Sequence, residues 1–436
     1  MSATTATPTA ESGAHSVGLP RAFGRYLLFD RIAQGGMAEI FLARATGELG
    51  DARRVVIKQI LPELSQDSTF SELLIREAKL AAQLNHQNIV QVVDLGREDG
   101  RLFIAMAYVE GYDLNQLLRE LSKRQLPLPA EFALLVVREV LTALDYAHRA
   151  SGEHGPLGIV HRDVSPSNVL VSFEGEVSLC DFGIARAYAS DASDGRAEGD
   201  VAVAGTGTGR VQRTRVVGKS AYMAPEHARG DEVDLRSDVF SVGILLWELC
   251  AGRRMYRGTE EEMLASARDA KVPPLPDRGL PALPTLQALL ARALDPDPAR
   301  RYQSAGSMLA DLDDYALEAG LQASQLRFGR FLTEHFAHQI VALRREREGA
   351  ARAAQAASAM PYSDVEPVSG EVIAHIARGV DEPIEATPKE SDDRAAEPLA
   401  AEEPGVLAAQ RGNRQRLWGL AALVLMAASA AYFALR

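Results

Sequence analysis

The chain has 436 residues, of which 47% are apolar, enough for a sizeable buried core within a multidomain chain. A formal net charge of −12 argues against a nucleic-acid partner. The two cysteines, Cys180 and Cys250, both lie in apolar runs, which excludes a disulfide framework and fits a reducing cytosol.

The N-terminal region changes character near residue 20. Residues 1–20 are rich in Ser, Thr, Ala, Gly and Pro without hydrophobic periodicity, so we expect a disordered tail. An apolar start, YLLFDRI, follows from Tyr26 and leads into AQGGMAEIFLA. The amides of Gly35 and Gly36 can approach a phosphate group closely, although this glycine signal is weak by itself.

The next predicted element is a helix over about residues 67–84, which offers two carboxylates. Glu77 shares its face with apolar residues such as Leu73 and Leu80, whereas Glu72 lies among polar ones. A carboxylate within an apolar stripe is costly unless it is paired. We therefore expect Glu77 to meet a cation and Glu72 to be solvated.

The most specific pattern is HRDVSPSNVLVSFEGEVSLCDFG, residues 161–183. Asn168 follows Asp163 by five residues, and Asp181 follows it by eighteen. The runs VLV and VSLC predict two short buried strands joined by a turn, so that both acids leave a rigid hairpin. Turn formation alone explains one of these polar residues at most. The pattern resembles the catalytic core of the eukaryotic-type protein kinases, including their bacterial Ser/Thr members.

This resemblance implies an α+β, two-lobed protein kinase fold over residues 21–319, with a small β-rich lobe and a larger helical lobe. It implies transfer of the γ-phosphoryl group of ATP to Ser or Thr hydroxyls of protein substrates, with Mg²⁺ or alternatively Mn²⁺. Asp163 would orient the hydroxyl and accept its proton. Asn168 and Asp181 would supply oxygen ligands to the metal. Pro166 matches the Ser/Thr-kinase pattern KPxN.

The resemblance also assigns the small lobe. VVIK, residues 55–58, resembles V-A-I-K, so Lys58 would bind the α- and β-phosphates with Glu77 as its carboxylate partner. Val56 replaces the usual Ala and would narrow the adenine slot. In the glycine-rich loop only Gly35 matches a family glycine. Ala replaces the first and third glycines, which should stiffen the loop.

The segment LFIAMAYVEGYDL, residues 102–114, looks like the last small-lobe strand and the hinge. Met106 would be the gatekeeper, and main-chain groups of Ala107 and Val109 would bond the adenine edge. Asp113 would contact the ribose or, alternatively, cap the following helix. The complete expected nucleotide set is Ile32, Ala33, Gly35, Gly36, Ile40, Val56, Lys58, Glu77, Met106, Ala107, Val109, Asp113, Asn168 and Asp181.

In the large lobe, the resemblance implies structural roles for three residues. Glu226 of AYMAPE would pair with Arg301 of DPDPARRY, as in the buried ion pair of the family. Asp238 opens the apolar helix VFSVGILLWELC and would brace the catalytic loop. We expect substitutions at these positions to lower the stability of the fold before they affect catalysis.

Two positions depart from the family pattern. Ser165 stands where Ser/Thr kinases carry Lys, and Lys219 stands where they carry Thr. We hypothesise that Lys219 supplies the missing positive charge and Ser165 the hydroxyl contact, which places both in the catalytic set with Asp163 and Lys58. The alternative is a solvent-facing Lys219. At the level of the whole protein, the alternative to an enzyme is an ATP-binding pseudokinase that acts as a membrane-tethered scaffold.

The segment from Asp181 to Glu226 is long and rich in small and polar residues, which predicts disorder until it is modified or bound. Arg162 could pair with a phosphate on this segment and order it, or it could simply bind backbone or Asp side chains. The expected phosphate acceptors are Thr214, Thr208 and Thr206.

The C-terminal part contains three predicted pieces. Residues 320–357 have apolar positions at helical spacing, and residues 358–416 form an acidic Pro/Ala-rich linker. Residues 417–435 are uncharged and long enough to span a membrane. Arginines on their N-terminal side predict a single-pass inner-membrane protein with a cytoplasmic kinase domain, a C-terminus across the membrane and the lipid bilayer as a partner. The alternative is a peripheral or buried Ala-rich helix. A homodimer is kept as an alternative assembly state of the chain.

Overall fold

The structure is a computed structural model that describes residues 19–45, 53–152, 155–182 and 219–357. A small lobe contains one antiparallel sheet in the order β1-β2-β3-β4-β6-β5. Its elements are β1 (Arg21–Phe23), β2 (Tyr26–Gln34), β3 (Ala38–Ala45), β4 (Arg53–Ile60), α1 (Pro62–Ser65), α2 (Ser68–Ala82), β5 (Val92–Glu98) and β6 (Arg101–Ala107).

Local sequence explains where the small-lobe elements begin and turn. Asp67 caps α2 by accepting a hydrogen bond from the amide of Phe70 at 3.0 Å. In β4, Val55 and Ile57 alternate with more exposed neighbours, so one face of the strand enters the core. The lobe therefore has a curled sheet with α2 packed beside β5.

The large lobe is mainly helical and carries two small sheets. Its strands are β7 (Gly111–Asp113), β8 (Ser151–Gly152), β9 (Gly155–Pro156), β10 (Val169–Ser172) and β11 (Val177–Leu179). Its helices are α3 (Leu114–Lys123), α4 (Ala130–Arg149), α5 (Pro225–Arg229), α6 (Leu235–Ala251), α7 (Glu260–Arg268), α8 (Leu283–Ala293), α9 (Ala305–Glu318) and α10 (Gln325–Ala357). Short 3₁₀ turns occupy Pro166–Asn168 and Lys219–Tyr222.

The core of the large lobe is built around α6. From Ser237 to Ala251 every residue of this helix is buried, because its sequence is apolar on nearly all sides. Helix α4 packs on it, and β10 and β11 form the predicted hairpin with Val169 opposite Leu179. The predicted two-lobed α+β fold is therefore confirmed.

The predicted membrane-spanning segment, residues 417–435, lies outside the described residues, as does the predicted linker. Among the residues that the structure describes, no helix is long and apolar enough to cross a bilayer.

Candidate active site

The loop between α4 and β10 holds Asp163, the expected catalytic base, in a defined orientation. Nδ2 of Asn168 donates to the main-chain oxygen of Asp163 at 2.7 Å and to its Oδ2 at 3.0 Å. The amide of Asp163 donates to Nδ1 of His161 at 3.2 Å. Because Asn168 uses its amide nitrogen here, its Oδ1 remains as a hard oxygen of the kind that Mg²⁺ prefers.

Asp238 supports this loop from within the large lobe. Its fully buried carboxylate accepts the amides of His161 at 2.8 Å and Arg162 at 2.7 Å. Burial raises the pKa of Asp238, but a 2.8 Å hydrogen bond with His148 Nε2 and the hydrogen bond from the His161 amide outweigh burial and leave the pKa below its usual value. Asp238 therefore remains an anion that holds the loop. Arg162 adopts a left-handed backbone, with φ of 62°.

His148 and His161 are two supporting residues that the sequence reasoning missed. His161 is fully buried, and its Nε2 lies 3.0 Å from the carbonyl oxygen of Cys180, which precedes Asp181. Its ring also packs 4.6 Å from that of Phe182. His161 therefore connects the loop of Asp163 to the strand that delivers Asp181. Its position inside the HRD pattern was the available signal.

Lys58 contacts Asp181 directly. Its Nζ lies 2.8 Å from Oδ1 of Asp181, across the cleft between β4 and the end of β11. Burial alone would lower the pKa of the Lys58 ammonium, but the negative charge of Asp181 outweighs burial and raises that pKa. Asp181 has a left-handed φ of 60°, where the chain leaves β11. The cleft therefore brings together the ammonium of Lys58, the carboxylate of Asp181 and the nearby carboxylate of Asp163.

The expected ion pair between Lys58 and Glu77 does not form in the part of the chain that the structure describes, and this expectation needs correction. Glu77 is half-buried on α2, whereas Glu72 is exposed. Burial raises the pKa of Glu77, and the charges of Arg162 and Arg76 oppose that rise. The physical reason lies in how α2 packs beside the sheet, since Glu77 is near the charge of Arg162 while the carboxylate of Asp181 neutralises Lys58.

The glycine segment is the turn of the β2–β3 hairpin. The amide of Gly35 donates to the carbonyl oxygen of Ala38 at 2.9 Å. Ala33 lies opposite Ile40 within the paired strands. The turn is thus limited to Gly35, Gly36 and Met37, the first two of which are exposed. Ile32 is a large apolar side chain that is 39% exposed on the same strand.

The predicted hinge follows β6. Met106 is buried and lies opposite Val56 of β4. The amide of Ala107 donates to the carbonyl oxygen of Gln91 at 2.9 Å, which removes that donor from any contact with adenine. Asp113 caps α3 by accepting from the amide of Gln116 at 2.7 Å, in a reciprocal capping box. The capping alternative is therefore observed, and burial raises the pKa of Asp113.

Glu226 and Arg301 form a bidentate buried pair. Nη1 and Nη2 of Arg301 donate to the two carboxylate oxygens of Glu226 at 2.7 Å and 2.8 Å, and the Ser237 hydroxyl also donates to Glu226, at 2.5 Å. Burial raises the pKa of Glu226, but the hydrogen bonds from Arg301 and Ser237 outweigh it and lower the pKa. This pair anchors the start of α5 to the segment before α9.

The remaining predicted residues are partly outside the described chain. Ser165 is buried, with its Oγ 3.0 Å from Oγ of Ser167. Thr206, Thr208, Thr214 and the side chain of Lys219 lie outside the described part.

Comparisons with known proteins point to one family. A family model described as the protein kinase domain matches residues 26–311. The chain is similar to tyrosine-protein kinase MasK of Myxococcus xanthus, with 37% identity over 338 residues that cover 77% of this chain and 49% of MasK. It is also similar to serine/threonine-protein kinase PknB of Mycobacterium leprae, with 36% identity over 299 residues that cover 67% of this chain and 43% of PknB.

Among solved structures, a crystal structure of a single-residue variant of the Mycobacterium tuberculosis PknI kinase domain matches with 28% identity and a TM-score of 0.50. The match covers 68% of this chain and 98% of the PknI domain. The chain spans less than half the length of MasK and of PknB.

Proposed function

The chain belongs to the protein kinase family, and on that premise we propose that it transfers the γ-phosphoryl group of ATP to Ser or Thr hydroxyls of proteins. The observation that carries the proposal is that one cleft contains both the hydrogen bond from Asn168 to Asp163 and the ion pair between Lys58 and Asp181. Phosphoryl transfer relies on positioning and charge stabilisation, and this cleft supplies both.

Each residue has a defined task in the proposed reaction. Asp163 orients the attacking hydroxyl and accepts its proton as the new oxygen–phosphorus bond forms and ADP leaves. Lys58 holds the α- and β-phosphates. Oδ1 of Asn168 and the carboxylate of Asp181 would hold Mg²⁺, with Mn²⁺ as the substitute. A bound metal would neutralise charge on the phosphates.

The decisive experiment incubates the full chain with labelled ATP, Mg²⁺ and a protein substrate. Incorporation should vanish in Lys58→Ala and Asp163→Asn but persist in Lys79→Ala, an exposed lysine of α2 that serves as the matched control. Binding of ATP without any transfer by the wild type would favour the scaffold alternative over the enzyme.

The acceptor class can be tested separately. Pro166 and the similarity to PknB support Ser and Thr, whereas MasK is named a tyrosine kinase. Acid hydrolysis of the labelled substrate should yield phosphoserine or phosphothreonine. Phosphotyrosine as the main product would overturn this part of the proposal.

We also propose that the kinase phosphorylates its own segment between Asp181 and Glu226, with Thr214 as the main acceptor. The support is Arg162, which directly precedes Asp163 in the sequence and could pair with a phosphate on the segment. Thr214→Ala should lower activity on an added substrate far more than Ser190→Ala. Equal activity of both variants, with wild-type Thr214 shown to be phosphorylated, would refute this mode of control.

Membrane attachment through residues 417–435 is a further part of the proposal, and its support is the uncharged sequence with arginines on the N-terminal side. The intact protein should sediment with membranes and require detergent for release. Deletion of the segment should leave an active kinase in the soluble fraction. Recovery of the intact protein without detergent would refute the anchor.

A further inference from the structure

Helix α10 contacts both lobes. Near its start, Phe328 is buried and stacks on Phe132 of α4, with ring centroids 4.8 Å apart. Near its end, Ala350 and Ala351 pack on a small cluster of the small-lobe sheet that includes Phe29. One continuous segment therefore runs from the large lobe to the small lobe, with a departure from helical geometry at Phe336.

Between these two ends, a chain of alternating charges crosses the hinge. Arg54 of β4 lies 3.3 Å from Glu110, the residue before β7. Glu110 lies 2.9 Å from Arg344 of α10, and Arg344 lies 3.1 Å from Glu174 in the β10–β11 turn. The order is therefore small lobe, hinge, α10 and large lobe. Opening of the cleft would separate these partners.

A second cation of α10 holds the hinge through an aromatic ring. The guanidinium groups of Arg54 and Arg347 each lie 5.2 Å from the ring centroid of Tyr108, and Arg347 also donates a hydrogen bond to the Tyr108 hydroxyl. Burial raises the pKa of this hydroxyl, so it remains a neutral acceptor near physiological pH. Tyr108 and Glu110 flank Val109 on both sides.

We propose that α10 is a strap that positions the hinge for the nucleotide, with Arg344 and Arg347 as its positioning residues. The inference rests on the proposed function and on the expectation that the main chain of Val109 bonds the adenine edge. A hinge held in its binding conformation loses less conformational freedom when ATP binds. Each exposed ion pair contributes little by itself, but the pairs here share partners and act on one short segment.

The test compares two neighbouring arginines of the full-length protein. Arg344→Ala removes the contacts with Glu110 and Glu174, whereas Arg345→Ala removes an exposed charge for which the described residues provide no ion pair. Calorimetry in the presence of Mg²⁺ should show that Arg344→Ala binds ATP about fivefold more weakly than the wild type. A loss of this size is expected for exposed ion pairs. Arg345→Ala should bind like the wild type. Equal affinities of the two variants would overturn the proposal.

A second readout follows the hinge itself. Amide hydrogen exchange at residues 107–111 should accelerate in Arg344→Ala and not in Arg345→Ala, with the melting temperature of both near that of the wild type. Arg344→Lys keeps the charge but not the planar fork, so it should lose less affinity than Arg344→Ala. Failure of the wild type to bind ATP would refute the nucleotide site, and unchanged hinge exchange in Arg344→Ala would refute the strap.

The partner on the large lobe gives an independent check. Glu174→Ala should reproduce part of the loss in ATP affinity, and the double variant with Arg344→Ala should lose less than the sum of the two single changes. Because the charges are exposed, the difference between Arg344→Ala and the wild type should shrink as salt increases. Additive effects in the cycle would count against a connected chain of charges.

Discussion

Nζ of Lys58 lies 2.8 Å from Oδ1 of Asp181, and this carboxylate is the main reason that the pKa of the buried ammonium is raised. Asp181→Asn should therefore lower the pKa of Lys58, because burial then acts with less opposition. The pH dependence of covalent labelling of Lys58 measures this change. Asp163→Asn should produce a smaller drop, since its charge contributes less. A larger drop in Asp163→Asn would contradict the assignment.

The Glu226–Arg301 pair should be important for stability. Arg301→Met leaves the Glu226 carboxylate buried without its cation, which should cost about 3–5 kcal/mol of unfolding free energy. Arg300→Met is the matched control, because the side chain of Arg300 is 75% exposed. Urea denaturation measures both variants. A loss below 1 kcal/mol in Arg301→Met, on the order of an exposed pair, would refute the role.

The same pair predicts a pH dependence. The pKa of Glu226 is lower in the folded state than its usual value of 4.5. Its contribution to stability is therefore fully present above that unfolded value and is lost as pH falls through the lowered folded value. The stability gap between wild type and Glu226→Gln should narrow below pH 4.5. A gap that widens in acid would have the wrong sign.

The positions of the site residues follow from the sequence to different degrees. Asp163, Asn168 and Asp181 stand at fixed spacing around one hairpin, so local geometry determines their neighbourhood. The partner of Lys58 depends instead on how α2 packs beside the sheet, and the sequence pattern favoured Glu77 where the structure has Asp181. The contacts of the strap could not be predicted from the sequence either, because Arg344 and Glu110 are 234 residues apart and only the folded chain brings them together.

That Lys219 supplies the positive charge and Ser165 the hydroxyl contact at the catalytic site remains a prediction. Ser165 is buried within the loop that holds Asp163. Preorganised charge at the γ-phosphate is worth on the order of 3 kcal/mol, about a hundredfold in rate. Lys219→Thr should reduce kcat severely, and adding Ser165→Lys should restore much of the loss. If Lys219→Thr and Ser165→Lys instead have independent, additive effects on kcat, the alternative of a solvent-facing Lys219 is favoured.

Close approach of backbones should make Gly329 necessary for docking of α10. A Cβ atom at Gly329 would lie 2.5 Å from the carbonyl carbon of Glu174, where backbone and not a flexible side chain occupies the space. Gly329→Ala should therefore lower the melting temperature and also loosen the turn that carries Glu174 toward Arg344. Gly349→Ala on the same helix is the control, since a Cβ there meets nothing within 4 Å. This control should raise stability by up to about 1 kcal/mol through helix propensity. Calorimetric scans measure both variants. A melting temperature that rises in both variants, or falls in both, would contradict the predicted contact.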